Sequence, residues 1–359
     1  MTPTTAPGHR TLDIGFMPLI DSAPLIAASR LGLDHRHGLH LRLHRQASWA
    51  AIRDRVLSGE FDAVHAMAAM VYGVQTGIGG PRADLAILMG LNQNGQAITL
   101  SPLLAEAVAA GRPLADAVRA LPRTPVFAQT FPTGTHAVWL YYWLAAKGVD
   151  PMHGIDVVTL PPPQMPDALA RGELDGFCAG EPWGAQAEAI GAGRRVIRSG
   201  QLWPGHPEKV LACRRDFAAL QPEVALALTT TVLEACRWLD DPAHHADVVA
   251  WLAEPDAIGL PADRIAACLR PRDGEQPGEG LRFHADGDAN FPWLSDGRGF
   301  LRQFRRWGWL PSARHAGDDD WLHDVHRLDT YRQAARTLGV TVPAGDERHC
   351  VLFDGAPWG

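Results

Sequence analysis

Of the 33 basic side chains in this 359-residue chain, 31 are arginines; the only lysines are Lys147 and Lys209. In such a background a lysine is informative, because its ammonium is a compact, rotatable point charge where arginine offers a rigid planar fork. Lys147, in "LAAKG", stands at a predicted helix end, where a cation offsets the dipole and Gly148 can cap. Lys209, in "HPEKVLAC", has no such role and is a candidate for a task that arginine would not serve. Other reactive groupings are missing or weaker. No carboxylate pair, P-loop or G-x-S-x-G motif occurs. The five cysteines (Cys178, Cys213, Cys236, Cys268, Cys350) contain no C-x-x-C pair. They predict buried thiols in a reducing compartment rather than a zinc knuckle or a disulfide framework. "HRHGLH" (35–40) with His44 looks like a metal motif, but it straddles a predicted helix-to-strand turn and reads as solvated surface. "GDDDW" (317–321) reads as a helix start carrying N-terminal carboxylates.

These residues need a scaffold. The chain is 46% hydrophobic with a net charge of −7, a globular composition with no broad basic face for nucleic acid. No run approaches the 18 apolar residues that would mark a membrane span. The first hundred residues alternate strand and helix: strands at 11–17, 39–45, 61–66, 85–91 and 95–101, helices at 22–32, 48–59 and from 67 to about 75. Two short helices follow. A second alternating run then places strands at 125–129, 155–160 and 174–180, with helices at 134–148, 163–172 and 181–193. This pattern predicts mainly parallel sheets in an α/β fold. "VLSGEFDAVHAM" (56–67) also echoes "ALARGELDGFCAG" (168–180), each reading helix, Gly-Glu, apolar residue, Asp, buried strand. Two similarly built lobes facing one cleft are therefore expected, with the ligand at the carboxyl ends of the strands. Beyond residue 214 the pattern is helical, 271–290 reads as a polar, glycine-rich loop, and the tail "CVLFDGAPWG" as mobile.

Six blocks in order carry a resemblance over roughly residues 11–340: "GFMPLIDSAPLIAASRLGL", "ASWAAIRDRVLSGEFDAVHAMAAM", "GLNQNGQAITLS", "TFPTGTHAVWLYYWLAAKGVDP", "PPPQM" and "FCAGEPWGAQA…HPEKVL". The chain resembles the nitrate-binding proteins of ABC transporters (NrtA type), whose relatives include bicarbonate-binding proteins and the cytoplasmic nitrate/nitrite sensor NasS. The resemblance implies a two-lobed periplasmic-binding-protein architecture of type II. Residues 1–101 would start lobe 1 and residues 102–206 would form lobe 2. Residues 207–359 would complete lobe 1 and add a helical C-terminal region packed on it.

Carried over by motif, the resemblance implies an oxyanion site of Trp49, Gln96, His136, Gly180 and Lys209. Nitrate only accepts hydrogen bonds, so donors and a cation suit it. Trp49 offers an indole N–H, and Gln96 an amide just after an "NG" turn. His136 sits in the first turn of a helix, where free N–H groups favour an anion. Gly180 permits close backbone approach, although a tight strand-to-helix turn explains it equally well. The bicarbonate relatives use calcium, with carboxylates where His136 and Lys209 stand here. The resemblance thus favours nitrate or nitrite, with no metal, no cofactor and no catalysis.

The first ten residues show no export signal, which predicts a cytoplasmic protein. The expected function is a nitrate/nitrite sensor of the NasS type that sequesters an RNA-binding antiterminator (NasT type) and releases it when the anion binds. The alternative is the substrate-binding component of a nitrate/nitrite ABC transporter whose leader was removed. An enzyme on the same scaffold, like the pyrimidine-synthase relatives, lacks the necessary residues.

Overall fold

The computed structural model describes residues 9–270, 274–312, 317 and 319–358. The N-terminal segment read for a leader, the start of the polar loop and Asp318 of the acidic run lie wholly or largely outside these. Ten strands build two five-stranded sheets: β1 (Arg10–Phe16), β2 (Leu39–Arg45), β3 (Ala63–Met67), β4 (Leu85–Gln93), β5 (Gln96–Leu100), β6 (Val126–Gln129), β7 (Asp156–Thr159), β8 (Gly176–Gly180), β9 (Arg194–Arg198) and β10 (Pro207–Arg214). The first sheet has the order β2-β1-β3-β10-β4 and the second β7-β6-β8-β5-β9. In each, three strands are parallel and the fourth runs antiparallel to both neighbours. That fourth strand is contributed by chain crossing over from the other lobe. Strands β3, β4, β5 and β8 are buried along their whole length, as expected where helices cover both faces.

The internal echo is structural. Gly59 (φ 82°) and Gly172 (φ 72°) each end a helix in the left-handed conformation that glycine adopts without penalty. The aspartate of each repeat then buttresses the strand one position over. Asp62 Oδ2 accepts from the Asp13 N–H of β1 at 2.9 Å, and Asp175 Oδ2 from the Val126 N–H of β6 at 2.8 Å. β3 and β8 thereby hold equivalent places in the two sheets.

Strand 96–100, assigned above to the end of the first lobe, pairs instead with β8 and β9 in the second sheet. The crossing falls at Asn94-Gly95, both at positive φ (62° and 91°); asparagine and glycine are the residues that tolerate this. Asn94 also fastens the neighbouring chain. Its Nδ2 donates to the Gly278 and Gly280 carbonyls, and its Oδ1 accepts from Gly205 N–H in the return crossing.

The helix Pro222–Leu239 packs on the helix Ala23–Arg30, on β4 and on the helix Leu328–Leu338, while the helices Ala262–Leu269 and Leu294–Arg306 also reach Trp183–Ala189 and Thr135–Ala146 of the second lobe. No helix among the described residues is long and apolar enough to cross a membrane. The tail, expected to be mobile, is docked through residue 358. Cys350–Val351 pairs with Pro357–Trp358, and the Trp358 ring lies 5.3 Å from Trp139 of the second lobe, 4.9 Å from Trp203 and 5.0 Å from Phe300. Asp354 accepts from the Tyr142 hydroxyl at 2.8 Å. Trp358→Ala should lower stability by about 3 kcal/mol through loss of a buried aromatic, read from the urea unfolding midpoint; an unchanged midpoint would contradict this docking.

Candidate functional site

The ends of strands from both sheets meet a set of helix starts between the lobes. Trp49 is the first residue of the helix Trp49–Ser58, which Ser48 caps by accepting from Ala51 N–H at 3.2 Å. His136 is the second residue of the helix Thr135–Ala146. Gln96 opens β5 directly opposite Gly180, the last residue of β8. Lys209 lies in β10 opposite Met67, the last residue of β3. All five are buried. Trp49 and Lys209 belong to the first lobe; His136, Gly180 and Gln96 belong to the second.

The structure brings Trp49, His136, Gly180 and Lys209 to one place, and joins Gln96 to them through its register opposite Gly180. Lys209 Nζ lies 5.5 Å from the centroid of the Trp49 ring and 3.5 Å from His136 Nε2. The Trp49 and His136 rings are 6.4 Å apart, edge to face. A Cβ at Gly180 would lie 3.5 Å from Asp21 Oδ2, itself 3.0 Å from Lys209 Nζ. Gln96 Oε1 accepts from the Cys178 thiol. Two buried donors, Trp49 Nε1 and Gln96 Nε2, have no acceptor among the described residues. An acceptor-only anion satisfies such donors, which otherwise carry a desolvation cost.

Sequence reasoning missed three members, Asp21, Glu208 and His65, and drew the wrong charge from the set. It expected donors and a cation without carboxylates, yet two fully buried carboxylates are present. Asp21 Oδ2 pairs with Lys209, and Oδ1 lies 2.9 Å from His65 Nε2. Glu208 Oε1 pairs with Lys209 and lies 2.9 Å from His136 Nε2. Adjacent strand residues normally face opposite ways. Here Pro207 pairs with Gln93 and Lys209 with the next residue, Asn92. Glu208 is thus the extra residue of a β-bulge, which turns both side chains toward the site. The consecutive acid and base in "PEKV" was the available signal. Asp21 stands in the short turn before the helix Ala23–Arg30, with no spacing cue linking it to β10.

The electrostatics are tightly balanced. Burial alone pushes the Asp21 carboxyl up, but Lys209 and His65 outweigh it and hold it at about 2. Glu208 is likewise raised by burial and, on balance, lowered by Lys209 and His136. Burial weakens the Lys209 ammonium, yet Asp21 and Glu208 raise its pKa overall. Burial drives His65 and His136 down, and His206 down to about 4, so all three imidazoles are neutral near pH 7. One cation then faces two carboxylates. The lysine pairs with both carboxylates at once.

The histidine motif of the first lobe is separate. Asp34, His35 and His40 bring ligand atoms within 4.8 Å of one another. Both Asp34 oxygens, however, accept backbone N–H groups, from His35 and Leu41, which gives that carboxylate a role in shaping the turn.

The chain matches the NMT1-like family over residues 5–253. It is 34% identical to the nitrate/nitrite binding protein NrtA of Synechococcus elongatus, over 98% of this chain and 84% of that one. It is also 34% identical to the nitrate import ATP-binding protein NrtC of Synechocystis, over 96% of this chain but only 52% of that protein, so it spans about half of that relative. Among solved structures, the periplasmic nitrate-binding protein NrtA from Synechocystis superposes with a TM-score of 0.90 at 31% identity, covering 98% of this chain and 96% of that one.

Proposed function

This chain belongs to the NMT1-like family, alongside the NrtA-type nitrate/nitrite-binding proteins, and we propose that it binds nitrate or nitrite between its lobes as a cytoplasmic sensor. Trp49, Gln96, His136, Gly180 and Lys209 hold the anion in this reading. The observation that carries it is the meeting of Lys209 of the first lobe with His136 of the second, 3.5 Å apart and beside Trp49, whose Nε1 has no acceptor among the described residues. The bound state is signalled to a NasT-type RNA-binding antiterminator. A net charge of −7 leaves contact with RNA to that partner. A reducing compartment is supported by the cysteines, which form no disulfide among the described residues. The second reading, a transporter's substrate-binding component, is favoured by the names of the relatives, which are import and binding proteins. In both readings the protein binds and does not catalyse.

Calorimetry with nitrate, nitrite and bicarbonate, each in EDTA and in calcium, tests the anion assignment. Nitrate or nitrite should bind in EDTA, because the Lys209 ammonium already supplies the positive charge between the carboxylates. Calcium-dependent bicarbonate binding with no heat from nitrate or nitrite would overturn it.

A further inference from the structure

The charge inventory of the site does not suit a monoanion as it stands. Asp21 and Glu208 contribute two negative charges and Lys209 one positive, all fully buried. Nitrate would raise the excess to two negative charges in a closed, low-dielectric space, where like charges repel strongly. Resting on the anion-binding reading above, we propose that the site captures its anion together with one proton, which His136 accepts on Nδ1.

Hydrogen bonding selects His136 from the three imidazoles. His65 Nδ1 accepts from Met17 N–H at 3.3 Å, and its Nε2 faces the Asp21 carboxylate. A second proton on Nδ1 would set N–H against N–H, so His65 is locked neutral. His206 Nδ1 lies 3.0 Å from the Pro207 carbonyl, so it carries the hydrogen; its Nε2 has no partner and the ring sits against Trp139 and Trp203. A proton there would create a buried cationic N–H with nothing to receive it.

His136 differs at both nitrogens. Its Nε2 faces Glu208 Oε1 at 2.9 Å, an acceptor-only group, so the ring hydrogen resides there. Its Nδ1 lies 2.6 Å from the Thr130 hydroxyl, which either donates or accepts. When the ring is neutral, Thr130 donates to Nδ1. When the ring is protonated, Nδ1–H donates to Thr130, and the hydroxyl hydrogen turns to Met67 Sδ, 3.6 Å away. The imidazolium therefore has two satisfied N–H groups, and the switch needs only a hydroxyl rotation.

The titratable and charged groups facing His136 among the described residues are Glu208 and Lys209 from β10 and Asp21 from the turn before the first helix. Further out stand His65 beside Asp21, His206 beyond Glu208, and Cys178 on β8, where burial keeps the thiol protonated. Glu208 stays ionised because Lys209 pairs with the oxygen that faces His136. Nitrate remains an anion throughout, so the proton comes from solvent and ends on the imidazole. His136 starts with a depressed pKa and the anion raises it. Between those two values, affinity rises as pH falls by one proton per anion; outside them it is flat.

The test is calorimetric titration of nitrate into the full chain in HEPES and in Tris, whose ionisation enthalpies differ, from pH 7 to 8.5. At pH 7 about one proton should be taken up per nitrate, and Kd should weaken by up to roughly tenfold per pH unit until the bound value of His136 is passed. Glu208→Gln, which removes one buried negative charge, should bring proton uptake to about zero and flatten the pH profile. Imidazole nitrogen-15 shifts should show His136 Nδ1 becoming protonated when nitrate is added. Nitrate binding without proton uptake, uptake with His136 still neutral, or an unaltered slope in Glu208→Gln would each overturn the proposal. Absence of nitrate binding at every pH would instead remove the anion reading on which it rests.

Discussion

Lys209→Ala should both abolish tight anion binding and cost the fold about 3–5 kcal/mol, the range for breaking a buried ion pair by removing one partner. The lysine is fully buried and pairs with Asp21 and Glu208 at once, so its loss leaves two carboxylates uncompensated. A charge-assisted hydrogen bond contributes about 1.5–3 kcal/mol, and the added repulsion from the freed carboxylates puts the loss of nitrate affinity at roughly a hundredfold or more. Lys147 is the control. It is exposed at the end of the helix Thr135–Ala146, and Lys147→Ala should stay within about 0.5 kcal/mol of the parent. Lys209→Arg should also weaken binding, since a rigid planar fork must fit where a small ammonium sits over Trp49.

The pH dependence of this variant has a definite sign. In the parent, Asp21 and Glu208 are lowered overall, so their contribution is present above the unfolded carboxylate range and lost as pH falls through the folded values. Without Lys209, burial dominates and pushes both carboxyl groups up. They then fold best protonated, and the variant loses stability as pH rises. The gap between variant and parent should therefore be narrower near pH 5 than near pH 8. Urea unfolding at the two values measures it, and a gap independent of pH would contradict the assigned carboxylates.

What could be read from the sequence was what repeats locally. The first eight strands follow from runs such as "LHLRLHR" and "LAILMGL", and the paired "GEFD" and "GELD" segments gave the correct equivalence of β3 and β8. Strand β9 was not recognised, because "RRVIR" carries three arginines on an edge. Strand β10 was not recognised either, although "VLAC" is buried, because "PEK" at its start reads as polar loop and its bulge breaks the alternation. Both strands lie at crossings between lobes, where long-range pairing overrides local pattern. That is also why Gln96 was placed in the wrong lobe: "NGQ" marks a turn but not which sheet follows. Trp49, His136 and Lys209 were legible through their motifs, since each stands in a short ordered block. Asp21 and His65 were not, because their significance arises only when β10 brings Lys209 beside the turn that carries Asp21. The tail was misread because the aromatic surface that holds Trp358 is assembled from Trp139, Trp203 and Phe300, distant in the chain.

If the protein is a sensor, saturating nitrate or nitrite should lower its affinity for the antiterminator by about a hundredfold. The proposed anion contacts are divided between lobes, with Trp49 and Lys209 on one side and Gln96, His136 and Gly180 on the other. An anion held by both sets stabilises the closed arrangement, while opening separates Lys209 from His136 and exposes Asp21 and Glu208 to water. A partner that binds the open arrangement then competes with the anion, and the coupling must be equal in both directions. A hundredfold difference corresponds to about 2.7 kcal/mol. That is well within what one cation shared across the lobes can provide, given about 1.5–3 kcal/mol for a single charge-assisted bond. Lys209→Ala should uncouple the two ligands, since the anion would lose its main hold on the first lobe. The measurement is partner affinity across a nitrate titration, with the parent and with Trp49→Phe, which keeps the ring but removes the indole donor. A complex whose affinity is the same with and without the anion would exclude the sensor reading and make transport the better account; release in the parent with a right-shifted midpoint in Trp49→Phe would tie the switch to this site.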